Sequence, residues 1–165
     1  MDKGQKIVVA VLAGILLVAL VVLAVVLITR EPEVVIAEFK APPFEENAVL
    51  GVPDGVPDIE NYREINMSGN YKFALAGTPM LEENKLFIHF SSSIDNGAWL
   101  LIKVYDMSDN EIGKSGLVRA GEYLESVNVI CDNVVDSVKV KIVSYEHDTY
   151  YSLGTASATL PIIKK

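Results

Sequence analysis

The stretch SYEHDTYYSLG, residues 144–154, sets His147 between two carboxylates, Glu146 and Asp148, and flanks the trio with Tyr145, Tyr150 and Tyr151. A histidine beside carboxylates has the parts of a proton shuttle or a zinc ligand set. Either chemistry needs a nucleophile or further ligands nearby. The one other histidine, His89, follows no helical i, i+4 or short-loop spacing with His147. His89 also alternates with Leu86, Ile88 and Phe90, which places it on the solvent side of a strand. The expectation is therefore a hairpin loop, with no catalytic, cofactor or metal site. Its exposed side chains, Tyr145, Glu146, His147, Asp148, Tyr150 and Tyr151, form a contact surface.

Other stretches invite the same question. In VPDGVPD the carboxylates of Asp54, Asp58 and Glu60 offer oxygens to a hard cation, but the repeat fits two proline-initiated turns better than any calcium loop. DMSDNEIG, Asp106 to Gly113, has Glu111 where a calcium loop needs its sharp-turn glycine, and reads as a hairpin turn. The single cysteine, Cys131, continues the alternation of Val127 and Val129 and is expected inside as a small hydrophobe. Trp99 is expected in the core.

Period-two patterning supplies the elements that hold these residues. KLFIHF puts Leu86, Ile88 and Phe90 on one face; WLLIKVY puts Leu100, Ile102 and Val104 opposite Lys103; SVKVKIV sets Val138, Val140 and Ile142 against Lys139 and Lys141. Further strands are expected at 71–76, 112–118, 123–130 and 155–160, with turns at Asp95–Gly97, Ser108–Asn110, Ala120–Gly121 and Asp132–Asn133. About seven short strands over residues 66–165 predict an all-β fold, an immunoglobulin- or fibronectin-like sandwich without the paired cysteines of antibody domains.

Ahead of it, residues 7–28 form an unbroken apolar run. As a helix rising about 1.5 Å per residue it would span roughly 33 Å, enough for a transmembrane segment. The run is longer than the apolar part of a signal peptide, so the anchor is expected to be retained. Lys3 and Lys6 precede it while Glu31 and Glu33 follow, so residues 1–6 should be a cytoplasmic tip and the rest extracellular. Residues 31–65 carry five of the seven prolines and nine carboxylates against two basic side chains, which predicts an extended stalk over residues 29–65. A formal charge of −8 excludes a nucleic-acid partner. Ala10 and Gly14 make a small-xxx-small pair through which two anchors could form a homodimer.

KSGLVRAGEYLESV (Lys114–Val127) and VKVKIVSYEHDTYYSLG (Val138–Gly154) together resemble small membrane-anchored extracytoplasmic β-sandwich proteins of Gram-positive Firmicutes, mostly uncharacterised. That family often has proline where this chain has Ala120 and His147. The resemblance thus implies a surface β-sandwich in which His147 performs no essential chemistry, and it supplies no active site. KGQ before the apolar run is similar to the processing site of type IV pilins, although the fifth position after cleavage, usually glutamate, is Val9. The expected function is noncovalent binding to, or assembly with, a protein partner at the plasma membrane's outer face. A pilin-like filament subunit and, further off, a metal-dependent hydrolase are the alternatives.

Overall fold

The structure, a computed structural model, describes residues 2–29, 40–53, 61–67, 71–130 and 136–165, without the side chains of 6–10, 26–29, 66 and 67. Cys131, the carboxylates Asp54, Asp58 and Glu60, and the turn at 132–133 lie outside the described residues. The chain divides into two compact units, Met1–Phe39 and Lys40–Lys165.

The first unit is built around helix α1, Lys3–Thr29. Asp2 opens it by accepting a hydrogen bond from the Lys3 amide (2.7 Å), and Gln5 reaches back to the Asp2 amide (3.3 Å), a reciprocal cap for donors that have no partner inside the helix. Every large apolar side chain from Val11 to Val25 is more than half exposed. Among the described residues, no helix is long and apolar enough to cross a membrane. The described side chains run unbroken from 11 to 25. Ala10 falls outside that run, and the position of a Cβ on Gly14 meets open space.

The second unit is all β, with eleven strands among the described residues. One sheet runs in the order β10 (Ser152–Pro161), β9 (Ser137–Tyr145), β6 (Trp99–Tyr105), β7 (Glu111–Val118). The other runs β1 (Val49–Leu50), β8 (Glu122–Asn128), β5 (Lys85–Ser92), β3 (Tyr71–Leu75), β2 (Arg63–Met67). In that second sheet, β4 (Met80–Glu82) also pairs with β5, and β11 (Ile163–Lys164) lies parallel to β4. Alternation decides the core as expected: Leu86, Ile88 and Phe90 meet Leu100, Ile102, Val104, Val138, Val140 and Ile142 between the sheets, all essentially inaccessible to water. At the turn between β5 and β6, Asn96 is buried. Its side-chain carbonyl accepts from the Lys72 amide (2.6 Å) and its amide donates to the Lys72 carbonyl (2.7 Å), so it continues β3 by one rung.

Two expectations change. Four strands, β1, β2, β4 and β11, escape the periodicity because runs of two to five residues are too short to display it. The compact unit also begins at Lys40 rather than 66, so part of the acidic, proline-rich segment joins the sandwich. Pro43 accepts from the Leu117 amide (2.8 Å) and Glu45 donates to the Leu117 carbonyl (2.9 Å), then Val49–Leu50 crosses to pair with Tyr123 and Glu122 of the other sheet. Proline at an edge forfeits no ladder bond, which is why Pro42 and Pro43 are tolerated there. At Gly116 a Cβ would stand 2.6 Å from the Glu45 nitrogen, so this strap lies close against β7 only because that residue is glycine.

Candidate functional site

The loop of residues 146–151 joins β9 to β10. The Glu146 amide donates to the Tyr151 carbonyl (2.9 Å) and the Tyr150 amide to the Glu146 carbonyl (3.1 Å), with Tyr150 in the left-handed region at φ +56°. The Thr149 hydroxyl donates to the Glu146 carboxylate and accepts from the Tyr151 amide (3.2 Å). Glu146 therefore closes the loop rather than serving His147 as a base.

Trp99 begins β6 directly opposite Tyr145. Because Leu100 points into the core, Trp99 projects from the outer face, half-buried; the expected core position is corrected by this one-residue phase. His147 lies against the indole at 4.6 Å between centroids and 31° between planes, and Tyr150 at 5.2 Å and 49°. Phe44, delivered by the strap, meets it edge-on at 4.8 Å and 83°, and the Arg119 guanidinium sits 3.8 Å over the Phe44 ring. His147 and Tyr150 are thus committed to the cluster, while Tyr151, 74% exposed, and Asp148 face solvent. Phe44 and Arg119 carried no sequence signal that tied them to this loop, since each lies distant in the chain.

Farther along the same outer face the character turns basic. Lys103 stands opposite Lys141, and Tyr105 opposite Lys139. Carboxylates answer them: Lys103 pairs with Glu111 (3.2 Å) and Lys139 with Asp109 (2.8 Å), while Lys141 lies 4.5 Å from the Tyr105 ring centre. Burial alone would lower the Lys103 pKa, but the hydrogen bond and charge of Glu111 outweigh it and hold it above the ordinary lysine value.

His89 is half-buried rather than directed to solvent. It keeps the face opposite Leu86, Ile88 and Phe90 that alternation predicts, at a register shift between Phe87 and Phe90 with φ +45°, and its pKa is lowered by loss of water, opposed by Glu125. At the Asp106 turn, Oδ1 accepts from the Ser108 and Asn110 amides (2.8 and 2.9 Å) and Oδ2 from the Asn110 side chain (2.8 Å). The Asn110 side-chain and backbone bonds keep that carboxyl below its ordinary range. The turn itself occupies the oxygens that the calcium reading would have used. Among the described residues no group of three or more histidine, cysteine or carboxylate side chains could hold a metal ion.

The arrangement offers an aromatic platform with one free tyrosine and one free carboxylate at its tip, suited to noncovalent contact. Compared with known proteins, the chain matches no family model, no curated protein and no solved structure.

Proposed function

We propose that this chain is a single-pass membrane protein that displays its β-sandwich outside the cell for noncovalent binding or assembly with another surface protein. The observation that carries this reading is α1: its described apolar side chains are uncovered all round, and such a helix requires an apolar surrounding. The whole apolar run, residues 7–28, has the length for a span. Lys3 and Lys6 before it favour a cytoplasmic N-terminus, leaving the second unit extracellular.

An immunoglobulin-like sandwich is supported by the strand order. Three strands, β3, β5 and β8, pack against β7, β6, β9 and β10, with the chain crossing between sheets from β5 to β6, from β7 to β8 and from β8 to β9. On that scaffold the loop of Tyr145, Glu146, His147, Asp148, Tyr150 and Tyr151 is the contact surface, with Tyr151 and Asp148 reaching the partner and the Trp99 cluster keeping them in place.

Photocrosslinking in intact cells tests the reading. A photoreactive side chain at Tyr151 should yield one recurrent protein adduct, lost on Trp99→Ala. The same adduct pattern from the equally exposed Ile94, 78% accessible at the β5–β6 turn, would refute a specific contact at the loop.

A further inference from the structure

The two flanks of the sandwich are built differently. On one, Gly113 of β7 bridges to Val129, and the strap from Pro43 to Leu50 crosses from sheet to sheet, so that side is closed. On the other, the chain crosses only at one end, where β10 runs on through Ile162 to β11 beside β4; along the rest β10 and β2 are edge strands of separate sheets, and nothing among the described residues pairs them. Between them lie two adjoining cavities of about 340 and 110 Å³ that share Ile65, Leu75 and Ala158, and the smaller reaches the core residues Phe73, Val140 and Ile142.

Beyond a register shift at Ser152–Gly154, the edge itself is unprotected. β10, Ser152–Pro161, is ten residues long, carries no charge, and has no proline before its last position. Every second residue of such a strand points its amide and carbonyl away from its neighbour β9. Natural edge strands of this length are ordinarily blunted by lysine, proline or a covering segment. Of the inward residues Gly154, Ala156, Ala158 and Leu160, only Leu160 is large, which leaves the space beside the middle of the strand empty.

We propose that this flank accepts an extended strand from another polypeptide, hydrogen-bonded to β10, with large apolar side chains at alternate positions entering the cavities. Charge and size define the occupant. Among the described residues Arg63 is the single formal charge lining either cavity, so the incoming strand is apolar along the cleft and carries a carboxylate at the Arg63 end. A second copy pairing through its own β10 would bring Gly154, Ala156 and Ala158 with Leu160 as its one large inward side chain, too little to fill a space of 340 Å³. The flank also centres on the Pro161 end of the β9–β10 hairpin, away from the loop at 146–151, and does not depend on the function assigned to that loop.

The test uses the full chain in detergent and two labelled ten-residue peptides of identical composition. One alternates leucine with threonine and ends in aspartate; the other groups its leucines in a block. The alternating peptide should bind at least ~10-fold more tightly and slow amide hydrogen exchange within residues 152–161. Thr159→Lys, at an exposed position, should weaken it by a similar factor with an unchanged melting temperature, and Ala158→Trp should do so by filling the cleft. Equal binding of the two peptides, no binding, or slowed exchange only at 146–151 overturns the proposal. So does concentration-dependent dimerisation abolished by Thr159→Lys, which would make the occupant a second copy.

Discussion

Trp99 gathers its neighbours from separate stretches of chain: Phe44 from the strap, Tyr145 from the adjacent strand, His147 and Tyr150 from the loop. Since it is the only tryptophan, its emission reports on that loop alone. His147→Ala and Tyr150→Ala should each shift the emission to the red and cost about 0.5–1.5 kcal/mol in urea unfolding, the range of an aromatic pair. Acid sensitivity also belongs to single residues. Burial keeps the folded-state pKa of His89 below its unfolded value of about 6.5, so the unfolded chain binds the proton first. Stability should therefore be fully present above that value and decline as pH falls from it toward the folded pKa. His89→Gln should flatten this window in a series of thermal melts, while the decline below the ordinary aspartate range, caused by Asp106, remains. The phase that buries Leu100 and the face that His89 takes were legible in the sequence; the half-burial of His89 on that face was not, because it depends on neighbours that alternation does not name.

Among the elements, the strap has the clearest test. It crosses from β7 to β8, and its backbone approaches Gly116 so closely that a side chain there has no room. Gly116→Ala should destabilise the sandwich by about 1–3 kcal/mol, measured by denaturant unfolding, and loosen Phe44 from Trp99. Gly121, at φ +76°, sits in the turn before β8, and substitution there should cost less, since the nearest atoms belong to the side chains of Ile94 and Leu50. The strands β5, β6 and β9 were legible because their residues show period two. The strap was not. Its prolines and carboxylates have the composition of a solvated linker, and its place is decided by a few main-chain bonds to Leu117 that composition does not encode.

For the whole molecule, the anchoring reading makes a direct prediction. The intact chain should remain with the membrane fraction through alkaline carbonate extraction, whereas a chain lacking residues 1–39 should be released. Protease added to intact cells should reach Tyr151 but spare a tag placed before Lys3; protection of both would reverse the orientation. Mass spectrometry of the purified chain distinguishes a retained Met1 from an N-terminus at Gln5, the outcome that a pilin-type cleavage requires.

What the sequence determined by itself was the apolar run, the change to period two and the side chains of the core, because burial in a helix or strand leaves a repeating mark on neighbouring residues. What the tertiary structure decided was everything that depends on residues far apart in the chain. The strap's inclusion in the sandwich, the ring cluster on Trp99 and the open flank beside β10 all arise from which strands become neighbours. That choice minimises exposed apolar surface over the whole unit and leaves no local periodicity to read.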